Sequence, residues 1–170
     1  AVLAFLRCGL ASFQQAYTWV GGAPLDDELM FRAAQAITAG EWLGAYDYLT
    51  LSKAMFFPVW LALLHVLHLP YLVSGAALWC AASLLAAFAF APLWRNAEPG
   101  CGRVLTLGLF GALAFLPSCW AAYTLRVYRD NIFPALCLIF FAGVAGMALR
   151  AVFYTAKQKP LWPWLLAAGV

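Results

Sequence analysis

The sequence predicts an all-α fold: a polytopic integral membrane protein of about four to five transmembrane helices, with juxtamembrane surface helices in its first outer loop. Three observations carry this. Of 170 residues, 66% are apolar or aromatic, against about 45–50% in a soluble domain. Only 10% are charged, where a soluble domain carries roughly 25%, and so few charges could not cover a water-facing surface. The apolar residues also gather into runs, several near the roughly 20 residues that a helix needs to cross a bilayer. The same figures exclude disorder, collagen and coiled coil.

The runs fall at 1–20, 54–69, 70–91, 104–122, 132–153 and from 160 onward. They are broken at Gly21-Gly22-Ala23-Pro24, the polar stretch 26–53, Pro70, Arg95 to Gly100, Tyr123 to Asn131, and Lys157 to Pro160. The chain starts inside one apolar run without an initiator Met and stops inside another, so the expectation is a piece of a longer membrane protein. No small-residue cleavage site follows the first run, so a signal peptide is not expected. The expectation is one membrane domain over 1–170, with 21–69 as the first outer loop and 70–170 as transmembrane helices.

Charge decides the direction of each element. The positive-inside rule puts Arg95, Arg103, Arg150, Lys157 and Lys159 in the cytoplasm. Helix 1–20 then runs outward, 70–91 inward, 104–122 outward and 132–153 inward. Segment 54–69 contains Pro58, His65 and His68 and is short for a span, so it lies along the membrane surface. Stretches 21–69 and 123–131 share the outer face, with Arg32, Lys53, Arg126 and Arg129 on it. Trp19, Trp94, Trp120 and Trp162 fall near predicted helix ends, as interface belts require. Cys8, Cys80, Cys101, Cys119 and Cys137 lie singly and read as packing residues. Gly143-Val144-Ala145-Gly146 offers small residues for close helix packing.

Five of the seven acids lie in one short stretch: Asp26, Asp27, Glu28, Glu41 and Asp47. A helix is expected to open at Asp26 and end at Gly40. Asp26 suits an N-cap, and Asp27 and Glu28 suit the positive end of the helix dipole. Three consecutive acids repel one another, however, and a cap needs only one. After a membrane helix such a cluster also suits a general base, or a metal site at Asp27 and Glu28. Lys53 precedes the aromatic run Met55-Phe56-Phe57-Pro58. It is either a snorkelling interface lysine or a contact for a lipid phosphate. The second outer loop, Leu125-Arg126-Val127-Tyr128-Arg129-Asp130-Asn131, is either a polar turn with Asp130 paired to an arginine, or a phosphate clamp, since arginine forks match phosphate oxygens. His65 and His68 could share a helix face, but no third ligand accompanies them and they receive no role.

The order of these features resembles the GT-C superfamily of membrane glycosyltransferases, which take a sugar from a polyprenyl-phosphate carrier. The likeness is to the protein mannosyltransferase and lipid A aminoarabinose transferase branch, in its amino-terminal portion. Asp26-Asp27 occupies the place of the family's acidic pair after the first membrane helix. Lys53-Ala54-Met55-Phe56-Phe57-Pro58-Val59-Trp60 is similar to its lysine-and-proline run, with the prolines displaced. Arg129-Asp130 is similar to a later Arg-Pro-Asp-like element, without the proline.

The resemblance implies inverting transfer of a sugar to an acceptor hydroxyl on the outer face. Asp26 or Asp27 would be the catalytic base. Lys53, Arg126, Arg129 and Asp130 would bind the donor phosphate, where charge develops on the leaving group. A divalent cation, Mg or Mn, held by Asp27 or Glu28, could share that task. The partners implied are a polyprenyl-phosphate sugar donor, a lipid, protein or glycan acceptor, and membrane lipids, with no nucleic acid. The location implied is a bacterial inner membrane with the active face toward the periplasm. The competing expectation is a non-catalytic membrane subunit or transporter segment whose polar loops only cap helices.

Overall fold

The computed structural model describes residues 1–18, 26–42, 44, 54–94, 96–116, 125–154 and 161–169. Over these the chain is all-helical. Its helices are α1 (Val2–Ser12), α2 (Asp26–Thr38), α3 (Phe56–Val66), α4 (Tyr71–Phe90), α5 (Pro99–Ala114), α6 (Phe133–Phe153) and α7 (Trp162–Ala167), with short 3-10 turns at Ala91–Trp94 and Arg129–Asn131.

Two helices are long and apolar enough to cross a membrane: α4 with its 3-10 extension (Tyr71–Trp94, 24 residues) and α6 (21 residues). At 1.5 Å per residue they measure about 36 and 32 Å, against a hydrocarbon core of about 30 Å. The shorter apolar helices α1, α3 and α5 do not reach that length.

The largest departure from the expected pattern is the first run. A continuous helix over 1–20 was expected, and α1 stops at Ser12. Ser12 Oγ donates back to Gly9 O at 2.7 Å, and Gln14 N–H closes a tight turn onto Ala11 O at 3.2 Å. Gln14 and Gln15 follow, and Tyr17 is then extended, paired with the 125–127 strand-like segment instead of continuing the helix. The run expected at 104–122 starts earlier, at Pro99, and its helix ends at Ala114; positions 117–122 lie outside the described residues, as do Trp19, Arg95, Cys119, Trp120, Lys157 and Lys159.

Helices α4 and α6 run side by side in the same direction. Gly75, one turn into α4, has the Asn131 side chain filling the space its own Cβ would occupy, just before α6 begins. At the other end, Arg150 donates to Phe88 O at 3.0 Å and Ala89 O at 3.3 Å. These carbonyls belong to the last turn of α4, where partners within the helix run out. Close approach along the pair is possible because small residues meet there: Ala86 and Ala89 of α4 and Ala142 of α6 lie in one buried cluster. Helix α5 runs opposite to α4, with Trp79 donating to Leu113 O at 3.0 Å and Trp94 to Thr106 Oγ1 at 3.0 Å.

Helix α7 folds back on α6 where the small residues lie. A Cβ on Gly143 would come 2.7 Å from the Ala167 carbonyl carbon, and one on Gly146 would overlap the Trp164 ring. Arg150 then stacks on that ring, 3.8 Å from its centre. Cys8, Cys101 and Cys137 are free thiols.

At the opposite end, where α4 and α6 begin, α2 and α3 form a cover. Met30 of α2 and Phe57 of α3 join Tyr128 and Ile132 in one buried cluster. Helix α2 ends as expected before Gly40, whose φ of +86° suits glycine alone among common residues. Helix α3 is stopped by His68, which takes the left-handed conformation (φ +53°) that a glycine would usually supply.

Candidate functional site

The site forms at the end where α4 and α6 both begin, and the loop before α6 is its organiser. Two backbone bonds tie that loop to the segment after α1: Tyr17 N–H donates to Leu125 O at 3.1 Å, and Val127 N–H donates to Tyr17 O at 2.8 Å. Tyr71, in the first turn of α4, pins it from below. Its hydroxyl accepts Tyr128 N–H at 3.2 Å and shares its own proton between Arg126 O (3.1 Å) and Tyr128 O (3.0 Å). A loop fixed at four successive backbone positions, Leu125 to Tyr128, holds its side chains in place.

Tyr128 is the buried centre of this loop, 7% exposed. Its ring meets Phe57 edge-on, 6.3 Å between centres. Its hydroxyl donates to Asp26 Oδ2 at 3.0 Å. The guanidinium carbons of Arg126 and Arg129 lie over the same ring, 4.9 and 5.3 Å from its centre, within cation–π range.

The acidic cluster is presented by the first turn of α2. Asp27 begins the buried stripe of this helix, followed at helical spacing by Met30 and Ala34. It is 2% exposed and receives the fork of Arg126: Nε donates to Oδ2 at 2.9 Å and Nη2 donates to Oδ1. A buried carboxylate needs such a partner. In return the Asp27 carboxylate, through these hydrogen bonds, holds the Arg126 guanidinium above the usual arginine range. Asp26, about 100° around the helix, is half-buried and turns toward Tyr128 instead. Glu28 pairs with Arg32 one turn along, on the exposed side, a contact worth little.

Of the residues singled out by sequence, the fold therefore joins Asp26, Asp27, Arg126 and Arg129 around Tyr128. Glu28 faces away from them, toward Arg32. Asp130 makes no ion pair among the described residues, so the turn reading that pairs it with an arginine is corrected: Arg126 bonds Asp27, 99 positions away, and Arg129 makes no ion pair among the described residues. Lys53 lies outside the described residues. His65 and His68 have ring centres 6.4 Å apart, and among the described residues no group of three or more His, Cys, Asp or Glu is placed to hold a metal. Asp27 and Glu28 do not fit a shared cation in this arrangement, because Asp27 directs both oxygens at Arg126 and Glu28 directs one at Arg32.

Sequence reasoning passed over three residues. Tyr128 was visible only as a tyrosine between two arginines, and Tyr71 only as an aromatic after Pro70. Arg7, a lone cation in an apolar run, is buried on α1 at 5% exposure; its isolation among apolar neighbours was the available signal.

Chemically, the site offers a carboxylate oriented by a phenol, next to an exposed guanidinium, with a buried ion pair behind both. That set can accept a proton and hold an anion a short distance away. No protein-family model matches the chain, and no curated protein or solved structure is similar to it.

Proposed function

We propose that this chain is the amino-terminal portion of a polytopic bacterial inner-membrane glycosyltransferase of GT-C type, using a polyprenyl-phosphate sugar as donor. Its active face is the periplasmic one, at the end where α4 and α6 begin. The observation that carries the reading is that Tyr128 contacts both an acid and a cation free of ion pairs among the described residues, its hydroxyl bonded to Asp26, about one hundred residues away, and its ring under the Arg129 guanidinium. The position of Arg103 and Arg150 toward the opposite end agrees with that orientation.

In this proposal Asp26 is the base. It takes the proton of the acceptor hydroxyl as that oxygen attacks the anomeric carbon, and the bond to the lipid phosphate breaks with inversion. Arg129, exposed and free of ion pairs among the described residues, receives the phosphate charge as it develops. Asp27 and Arg126 form the lock that holds the acidic helix against the loop. This redistributes the expected roles: Asp27 is positional, Arg126 is committed to it, and Lys53 and Asp130 keep only the donor-binding role that the resemblance implies.

The second reading, a non-catalytic membrane subunit, is favoured by one observation: the Asp27–Arg126 pair would serve equally well to clamp a loop onto a helix. Asp26→Asn separates the two. In the intact protein, reconstituted with a polyprenyl-phosphate sugar, the substitution abolishes transfer while leaving expression and folding intact. Wild-type transfer by Asp26→Asn would leave only the subunit reading.

A further inference from the structure

A groove lies between the second half of α4 and α5, at the end of the molecule opposite the candidate site. Its volume is about 460 Å³. Leu84 and Phe88 of α4 form one wall, and Leu107 and Phe110 of α5 the other. Each wall pair is spaced three or four residues apart, so one helix face supplies it. From Gly102 to Phe110 the groove follows α5 for about 12 Å at helical rise.

Polarity changes along its length. At one end are Glu98 and Arg103, both exposed; beyond Thr106 the lining is apolar. The polar atoms inside are already committed to each other: Trp94 Nε1 donates to Thr106 Oγ1, and Thr106 donates to Gly102 O at 2.9 Å. A sugar or nucleotide would find no hydrogen-bonding group within the groove. The side chains of Glu98 and Arg103, by contrast, make no ion pair or hydrogen bond with any described residue. A charged group of each sign therefore stands ready at the mouth of an apolar channel.

We propose that this groove binds one membrane phospholipid with a zwitterionic primary-amine headgroup, a phosphatidylethanolamine-type lipid. The lipid phosphate meets Arg103, the ammonium meets Glu98, and one acyl chain lies along Leu107 and Phe88 toward Phe110 and Leu84. An anionic lipid would satisfy Arg103 and leave Glu98 repelled; a fatty acid would do the same. The site is separate from the glycosyl-transfer centre, and rests on the membrane reading of the chain without needing the catalytic one.

The test is native mass spectrometry of the intact protein in mild detergent, equilibrated with an equimolar mixture of phosphatidylethanolamine, phosphatidylglycerol and phosphatidylcholine of one acyl composition. One phosphatidylethanolamine is retained in preference to the other two. Glu98→Gln lowers its retention about tenfold, the loss of one charge-assisted contact, and raises that of phosphatidylglycerol, whose anionic headgroup is no longer repelled. Arg103→Gln lowers both. Gly102→Leu, whose side chain enters the groove beside Trp94, empties it of all three lipids with helix content retained by circular dichroism.

Equal retention of the three lipids, unaltered by these substitutions, would mean boundary lipid only and overturn the proposal. Capture of a second copy of the chain in place of lipid would also overturn it. Liposome flotation separates the two levels of failure. A protein that floats but shows no headgroup preference refutes this site alone; a protein that does not float refutes the membrane reading with it.

Discussion

Tyr128 donates its hydroxyl proton to Asp26 Oδ2 at 3.0 Å, joining a loop residue to the first turn of a helix 102 positions earlier. This contact holds the proposed base in position. On the proposed transfer, Tyr128→Phe therefore lowers kcat about tenfold, the size of one hydrogen bond to a charged group. Asp26→Asn lowers the rate at least about a hundredfold at every pH. A Tyr128→Phe kcat equal to that of the wild type would remove the phenol from any positioning role.

The Asp27–Arg126 pair predicts a stability effect instead. Breaking a fully buried ion pair from one side costs about 3–5 kcal/mol. Here Asp27 is 4% exposed in its side chain but Arg126 is 25% exposed, so solvent softens the loss. Asp27→Asn should destabilise the protein by about 2 kcal/mol, since a stranded guanidinium can turn partly to water. Denaturant titration in detergent measures it. In a double-mutant cycle with Arg126→Gln, the two effects should fall well short of additive.

How much of this was readable beforehand depends on the range of the interaction. Helices α4 and α6 are long unbroken apolar runs with a proline at or before their first turn, and their sequence extents match the structure closely. Helix α1 was overextended because apolarity alone does not reveal that Tyr17 has a better partner in the 125–127 segment. The acidic cluster and the arginine loop were both recognised as polar islands. Their pairing was not, because nearness in sequence pointed Asp130 toward an arginine of its own loop. Choosing between Asp26 and Asp27 needed the buried face of α2, which is set by Met30 meeting the tertiary cluster around Phe57. Tyr128 and Tyr71 act through backbone contacts that no local pattern encodes.

Arg129 and Arg126 should separate cleanly by experiment. Both lie over the Tyr128 ring, but only Arg126 is tied to a carboxylate among the described residues. Arg129→Gln should raise the KM for the lipid-phosphate sugar about tenfold, the loss of one charge-assisted contact to phosphate, and leave thermal stability unchanged. Arg129→Lys should recover part of the loss, because a point charge remains where the fork is gone. Steady-state kinetics at varied donor concentration, beside melting curves, checks both. A fall in melting temperature without a KM change would reassign Arg129 to the scaffold.

The return of α7 onto α6 rests on two missing side chains and one stacked cation. A Cβ at Gly143 would press on α7 backbone, which cannot turn aside as a flexible side chain can. At Gly146 it would displace the Trp164 ring, and with it the surface on which Arg150 stacks. Arg150 also donates to Phe88 O and Ala89 O, so the disturbance should pass to the end of α4. Gly143→Ala and Gly146→Ala are each expected to cost about 1–3 kcal/mol, the range for forcing volume into a packed contact. Gly108→Ala supplies the control: its Cβ would meet nothing within 4 Å, and alanine favours the helix by up to about 1 kcal/mol. Limited proteolysis tests the locality of the effect. Cleavage near residues 161–169 should accelerate in both α6 variants and not in Gly108→Ala, whereas equal protection in all three would show that α7 is held by something other than this contact.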